Sequence, residues 1–304
     1  MRAAGRVVHL TYHKCGSQWV RDVLTAPELL PYSQTPLYGG GLLAPDVVWS
    51  AQPDHTFMGP LYGVSYDDWL RHRREDDKAV VVLRDPRDRL VSLVYSQTYS
   101  HATDVIGDRF RELYLRLDPY SRLMCSLLIE AATYGVSLRS WAEQASSPAA
   151  YITSYEKLIA DSVGEYGRIV RFLGWSVPAS VLRAVVDRLS FERRSGRKPG
   201  NEDVSSHYRM GKAGDWRRHF DARLGELHEA MLPSLVVALG YESNNDWYRS
   251  LPEALADDPS ARRVREEKRL VDLQAEVTRL HEANLALHEA NFALREANSS
   301  SREI

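Results

Sequence analysis

Apolar and polar positions alternate with a period that changes several times along the chain, and each change predicts an element. Arg6 to Tyr12 is a short apolar run of strand composition, His13 to Gly16 a turn, and Ser17 to Leu24 the start of an amphipathic helix. Lys78 to Leu83 is a continuous β-branched run, the pattern of a strand buried on both faces of a parallel sheet. Arg84-Asp85-Pro86-Arg87 leads from it into another helix. Helical spacing returns from Asp118 to Gln144 and over residues 163–189, with a strand at Tyr151 to Tyr155 between them. Strands alternating with helices predict an α/β layered fold, a parallel sheet flanked by helices.

Between these elements lie segments that break the pattern. Residues 31–50 are rich in Pro, Gly and aromatics and predict an irregular loop, and residues 194–208 predict a mobile basic loop before a helix at Leu224 to Leu239. Globular patterning ends near Tyr248. The organisation expected is therefore one domain over residues 1–250, a linker over 251–262 marked by Pro252, Asp257, Asp258 and Pro259, a helix over 263–298 and a disordered tail over 299–304. In the helix, Leu273, Leu280, Leu287 and Leu294 hold every d position of a heptad, with Asn284 and Asn291 at a. That seam predicts a coiled coil joining two copies of the chain in parallel, with an exposed helix that frays or docks elsewhere as the other outcome.

Composition narrows the partners. With 304 residues, 44% of them hydrophobic, the chain has material for one large core, and a formal charge of −2 gives no global field for nucleic acid or an anionic membrane. Cys15 and Cys125 make no disulfide framework, and no window reaches the roughly 18 apolar residues of a membrane span. A cytoplasmic protein is expected.

The chemistry concentrates where predicted strands end. Tyr12-His13-Lys14-Cys15-Gly16-Ser17-Gln18-Trp19 joins a strand to a helix, where backbone N–H groups and the helix dipole favour an anion. Gly16 permits close backbone approach, Ser17 adds a hydroxyl and Lys14 a full charge. The loop is not a Walker A sequence, because its lysine precedes its glycine. Alone it is equally a plain strand-to-helix turn. Arg84 to Ser92 follows the second strand, with Arg84 offering a planar fork to phosphate and Ser92 a hydroxyl; alone it also reads as a capped helix with surface arginines.

Taken together these segments resemble the sulfotransferase family, whose loop Tyr-Pro-Lys-Ser-Gly-Thr-Thr-Trp is matched at Tyr12, Lys14, Gly16 and Trp19, with Ser17 a close replacement and His13, Cys15 and Gln18 as departures. Arg84 to Ser92 is similar to the family's 3′-phosphate segment, Arg209-Met210-Gly211 with Gly214-Asp215-Trp216 to the segment that closes over the nucleotide, and Tyr155-Glu156-Lys157-Leu158 to the one whose tyrosine approaches the adenine. Met210 stands where the family has lysine. The resemblance implies a P-loop NTPase-like fold and in-line transfer of a sulfuryl group from 3′-phosphoadenosine 5′-phosphosulfate (PAPS) to an acceptor hydroxyl. No metal is implied. Lys14 would stabilise the leaving phosphate, while Cys15, Gly16, Ser17, Gln18, Trp19, Arg84, Ser92, Tyr155, Arg209, Met210 and Gly211 would hold the donor. Relatives carry a general base on a strand between the phosphate motifs, here Asp54 to Leu61, which makes His55 the candidate, with His13, His101 and Asp54 as alternatives. The acceptor stays open among small molecules, carbohydrates and glycolipids. Tyr32, Tyr38, Trp49, Phe57, Tyr62 and Tyr66 are candidates to line its site, or core. Two other readings compete: a nucleotide kinase, which lacks its Walker A, and an inactive nucleotide-binding scaffold dimerised by the coiled coil.

Overall fold

The computed structural model of the chain describes residues 5–36, 53–100, 105–144, 147–255 and 279. The coiled-coil segment, nearly all of it, and most of the linker, along with Tyr38, Trp49 and His101, lie outside the described residues.

The sheet has four parallel strands in the order β2-β1-β3-β4: β1 Val7–Thr11, β2 Phe57–Tyr62, β3 Lys78–Leu83 and β4 Ala150–Ser154. Every residue of β1 is buried, as the apolar run requires of a strand with neighbours on both sides and helices over both faces. Register brings Thr11 opposite both Tyr62 and Val82, so three strands end at one edge. β2 starts later than its predicted Asp54. Pro53, Asp54 and His55 stay exposed outside it, and Pro60 is tolerated because β2 is an edge strand, with the pairing shifted between Val8 and Leu10.

Each strand feeds a helix. α1 (Ser17–Leu24) follows β1; a short helix α2 (Leu30–Ser33) comes before the undescribed segment; α3 (Tyr66–His72) follows β2 and α4 (Pro86–Tyr95) follows β3. Asp85 caps α4 by accepting from Arg87 N, with Pro86 at the first helical position. After a π-helical turn at Ser96–Ser100 come α5 (Val105–Arg116) and the long α6 (Pro119–Ala142), capped by Asp118. α7 (Tyr155–Ala160) leaves β4 directly. The helical pattern predicted over 163–189 is two helices, α8 (Ser162–Leu173) and α9 (Ala179–Arg188), because Gly174 takes a left-handed turn (φ 82°) and Pro178 precedes the second. α10 (Phe191–Ser195) leads into the basic loop. The helix predicted at 224–239 likewise splits, into α11 (Ala222–Met231) and α12 (Leu235–Ala238), at Leu232-Pro233-Ser234.

One buried cluster runs from β1 and β3 through Trp69, Trp141, Tyr166 and Phe220 to Trp247. Trp247 ties the end of the described chain to the core: its indole donates to Glu229, and its ring meets Trp216 edge-on at 5.8 Å. Among the described residues no helix is long and apolar enough to cross a membrane.

Candidate active site

The loop after β1 is bent by two left-handed residues, Lys14 (φ 70°) and Gly16 (φ 79°). At Gly16 a Cβ would lie 3.0 Å from the Tyr155 ring, so glycine serves both the turn and the packing. Lysine in that conformation carries backbone strain, of the kind that gathers at functional sites. α1 begins at Ser17 with no side-chain cap, which leaves first-turn N–H groups facing the loop. Cys15 faces the other way. It is fully buried, its thiol lies 3.9 Å from the His13 carbonyl, and desolvation pushes its pKa up to about 11.

Arg84, at the end of β3, gathers the neighbouring segments. Its guanidinium donates to the Lys14 carbonyl (2.8 Å) and the Lys212 carbonyl (3.4 Å), and lies 4.5 Å over the Tyr155 ring. Asp88, one turn on, accepts from Gly214 N (2.6 Å) and Trp216 N (2.9 Å), which fixes the 209–216 segment across the same edge. Arg209 ion-pairs with Glu202 and with Asp215 (2.5 Å), and its guanidinium lies 4.4 Å from the Tyr95 ring centroid. Gly211 (φ 63°) is pressed against Phe191, where a Cβ would fall 2.5 Å from the ring.

These segments enclose a cavity of about 970 Å³. Lys14, Gly16, Ser17, Gln18, Trp19, Arg84, Ser92, Tyr155, Arg209, Met210 and Gly211 all line it. Residues predicted from segments nearly 200 positions apart are thus brought together, and Cys15 and His55 are the predicted residues outside the lining. The Lys14 ammonium donates to Ser96 Oγ at 3.1 Å; burial, then the like charges of Arg84 and Arg209, bring its pKa down to about 8. The buried Nε atoms of Arg84 and Arg209 and the indole nitrogen of Trp19 have no hydrogen-bond partner. Donors left over beside three cations suit an anionic, aromatic ligand.

His55 corrects the prediction most clearly. It is exposed, with φ 57°, and sits before Phe57, which pairs with Val7 at the start of β1. The cavity opens beyond Thr11, the length of the strand away, roughly 16 Å at about 3.3 Å per residue. Asp54 shares that far edge and is engaged by Arg74. Of the aromatics proposed for the acceptor, Tyr62 lines the cavity, whereas Phe57 is core, Tyr66 packs on Trp141 at 5.2 Å and Tyr32 is exposed. Phe191 and Ser96 were not anticipated. Ser96 is four residues beyond Ser92 on the same helical face, a spacing visible in the sequence; Phe191, a lone aromatic at the head of a charged stretch, gave a weaker signal.

The model of the sulfotransferase domain matches residues 70–233. Sulfotransferase 2A6 of Rattus norvegicus is 22% identical over 250 residues, covering 72% of this chain and 80% of that protein. Cytosolic sulfotransferase 1 of Danio rerio is 23% identical over 245 residues, covering 71% and 77%. The crystal structure of mouse sulfotransferase SULT7A1 complexed with PAP shares the fold with a TM-score of 0.53 at 16% identity, over 81% of this chain and 87% of that one. The chain belongs to the sulfotransferase family.

Proposed function

We propose that this protein is a PAPS-dependent sulfotransferase that passes the sulfuryl group in line to a hydroxyl of a small-molecule, carbohydrate or glycolipid acceptor. The observation that carries the reading is the convergence of Lys14, Arg84 and Arg209 on one cavity with unpaired donors between them. PAPS supplies an activated sulfuryl group on a 5′-phosphate. The N–H groups of Gly16 to Trp19 and the Ser17 hydroxyl hold that phosphosulfate, and Cys15 supports the loop from below. Arg84 and Ser92 hold the 3′-phosphate together with the Arg209-Met210-Gly211 segment, where Lys212 stands near the charge that Met210 lacks. Trp19, Tyr155 and Phe191 provide flat faces for the adenine. Lys14 stabilises the charge that grows on the leaving phosphate.

The rest of the organisation follows as part of the same proposal. Residues 1–250 form the catalytic domain, and 263–298 pair two copies through the heptad seam. The chain works in the cytosol, in keeping with the name of its Danio rerio relative.

Calorimetry with 3′-phosphoadenosine 5′-phosphate (PAP), the product, tests the donor site. Wild type should bind PAP, and Arg84→Ala should weaken binding by about 1.5–3 kcal/mol, roughly 10- to 150-fold. A folded wild type that does not bind PAP would sink the reading.

A further inference from the structure

Arg209 differs from the other two cations of the cavity in what holds it. Arg84 donates to two backbone carbonyls and Lys14 to a hydroxyl, whereas Arg209 is paired with two carboxylates, Glu202 and Asp215. Neither carboxylate lines the cavity, nor does Tyr95, whose ring centroid lies 4.4 Å from the guanidinium. The head group of a lining residue is thus engaged by groups outside the lining.

The two carboxylates are not equivalent. Asp215 is buried, accepts from Arg218 Nε at 2.7 Å as well as from Arg209, and has His219 Nε2 at 3.5 Å. It is a fixed partner. Glu202 is exposed, and its second oxygen reaches only as far as the exposed guanidinium of Arg218, 3.7 Å away. An exposed glutamate loses little by turning into water.

The backbone of the basic loop brings Glu202 to Arg209. Gly200 N donates to the Met210 carbonyl (2.8 Å) and Asp203 N to the Arg209 carbonyl (3.0 Å), so residues 200–203 run beside 209–210. Arg197 closes the loop by donating to the carbonyls of Asn201 (2.5 Å), Tyr208 (2.7 Å) and Arg209 (3.1 Å). The carboxylate is therefore delivered to the arginine before any ligand arrives.

We propose that Glu202 is an internal anion that occupies Arg209 in the ligand-free protein, yields it to the 3′-phosphate of the donor, and thereby sets how tightly donor and product are held. This rests on the donor reading above. A phosphate carries more charge than a carboxylate and meets a guanidinium already desolvated and fixed by Asp215, while the displaced glutamate regains water. Breaking the Glu202 pair is a cost of every binding event, and its return helps PAP to leave.

The test is calorimetry with PAP on wild type, Glu202→Gln and Asp203→Asn, joined to a crystal structure of wild type with PAP. Asp203→Asn removes the same charge one residue on, from a carboxylate that serves its own turn by accepting from Ser205 N (3.0 Å) and Ser205 Oγ (2.6 Å). Glu202→Gln should bind PAP about 3- to 10-fold more tightly and release it more slowly by a similar factor, followed through tryptophan fluorescence. Asp203→Asn should stay within about twofold of wild type, and Glu202 should be off Arg209 in the PAP complex. The proposal falls if Glu202→Gln binds PAP no more tightly or releases it no more slowly, if Asp203→Asn tightens binding as much, or if the Glu202–Arg209 pair persists beside bound PAP. Absence of PAP binding by wild type would instead remove the donor reading, and this proposal with it.

Discussion

Arg84 and Arg87 leave β3 three residues apart and both are buried, yet their surroundings share almost nothing. Arg87 is saturated. Its guanidinium donates twice to Asp85 (2.9 and 2.7 Å) and once to Glu242 (2.6 Å), between the indoles of Trp216 at 3.7 Å and Trp247 at 4.5 Å. Arg84 donates to backbone carbonyls, has the Asp88 carboxylate no nearer than 4.0 Å, and keeps Nε without a partner at the cavity wall. Burial of a cation therefore does not distinguish these two; whether carboxylates or neutral carbonyls hold it, and whether it borders the cavity, does. A guanidinium held by two carboxylates has its charge already matched, while one bonded to neutral carbonyls has the desolvation already behind it and gains when an anion arrives.

Removing each arginine in turn should separate the two roles. Arg87→Ala strips the partner from Asp85 and Glu242 and opens a space between two indoles. A loss of about 3–5 kcal/mol is expected, read as a fall in Tm of about 2–4 °C per kcal/mol. Arg84→Ala should leave Tm close to wild type, because it also relieves repulsion on Lys14, and should act on PAP binding instead. Equal thermal losses in the two variants would break the comparison.

Lys14 extends it from binding to rate. Its ammonium has Ser96 as a hydrogen-bond partner and two cations as neighbours, so it too is under-satisfied until an anion is present. Lys14→Ala should lower kcat by about 10²- to 10³-fold, the usual cost of removing a group aimed at developing charge. Thermal stability should hold or rise. A kcat within tenfold of wild type would place the catalytic charge elsewhere.

The contrast between the arginines also marks where sequence reading stops. Lys78–Leu83 and Ser17–Leu24 were legible to the residue, since a continuous β-branched run and an amphipathic start are local signals. So was the strand-end placement of Arg84, because a short loop after a parallel strand must open at the sheet's edge. Arg87 gives no such clue: its partner Glu242 is 155 positions away. His55 failed for a related reason. The position of a residue relative to a strand's two ends decides which edge of the sheet it reaches, and the polar start of the predicted 54–61 strand hid where β2 begins. His13 was visible inside the loop motif, but the Tyr62 ring stacked on it at 4.2 Å comes from β2, whose register no local pattern supplies.

The smallest effect expected is also the one whose sign separates the two regions. Burial and the charges of Arg84 and Arg209 bring the folded Lys14 pKa from 10.5 to about 8. Below pH 8 the lysine is charged in folded and unfolded chains alike; between about 8 and 10.5 the unfolded chain holds a proton that the folded one has released. Ligand-free stability therefore gains from this group as pH rises through that window. PAP affinity must move the opposite way, because the anion binds the charged form and loses it above pH 8, by less than tenfold per pH unit for one proton. Calorimetry of PAP binding near pH 8 in buffers of different ionisation enthalpy should show proton uptake, and Lys14→Arg should abolish it. Uptake that persists in Lys14→Arg would assign the proton to another group at the cavity and remove Lys14 from the under-satisfied set that Arg84 defines.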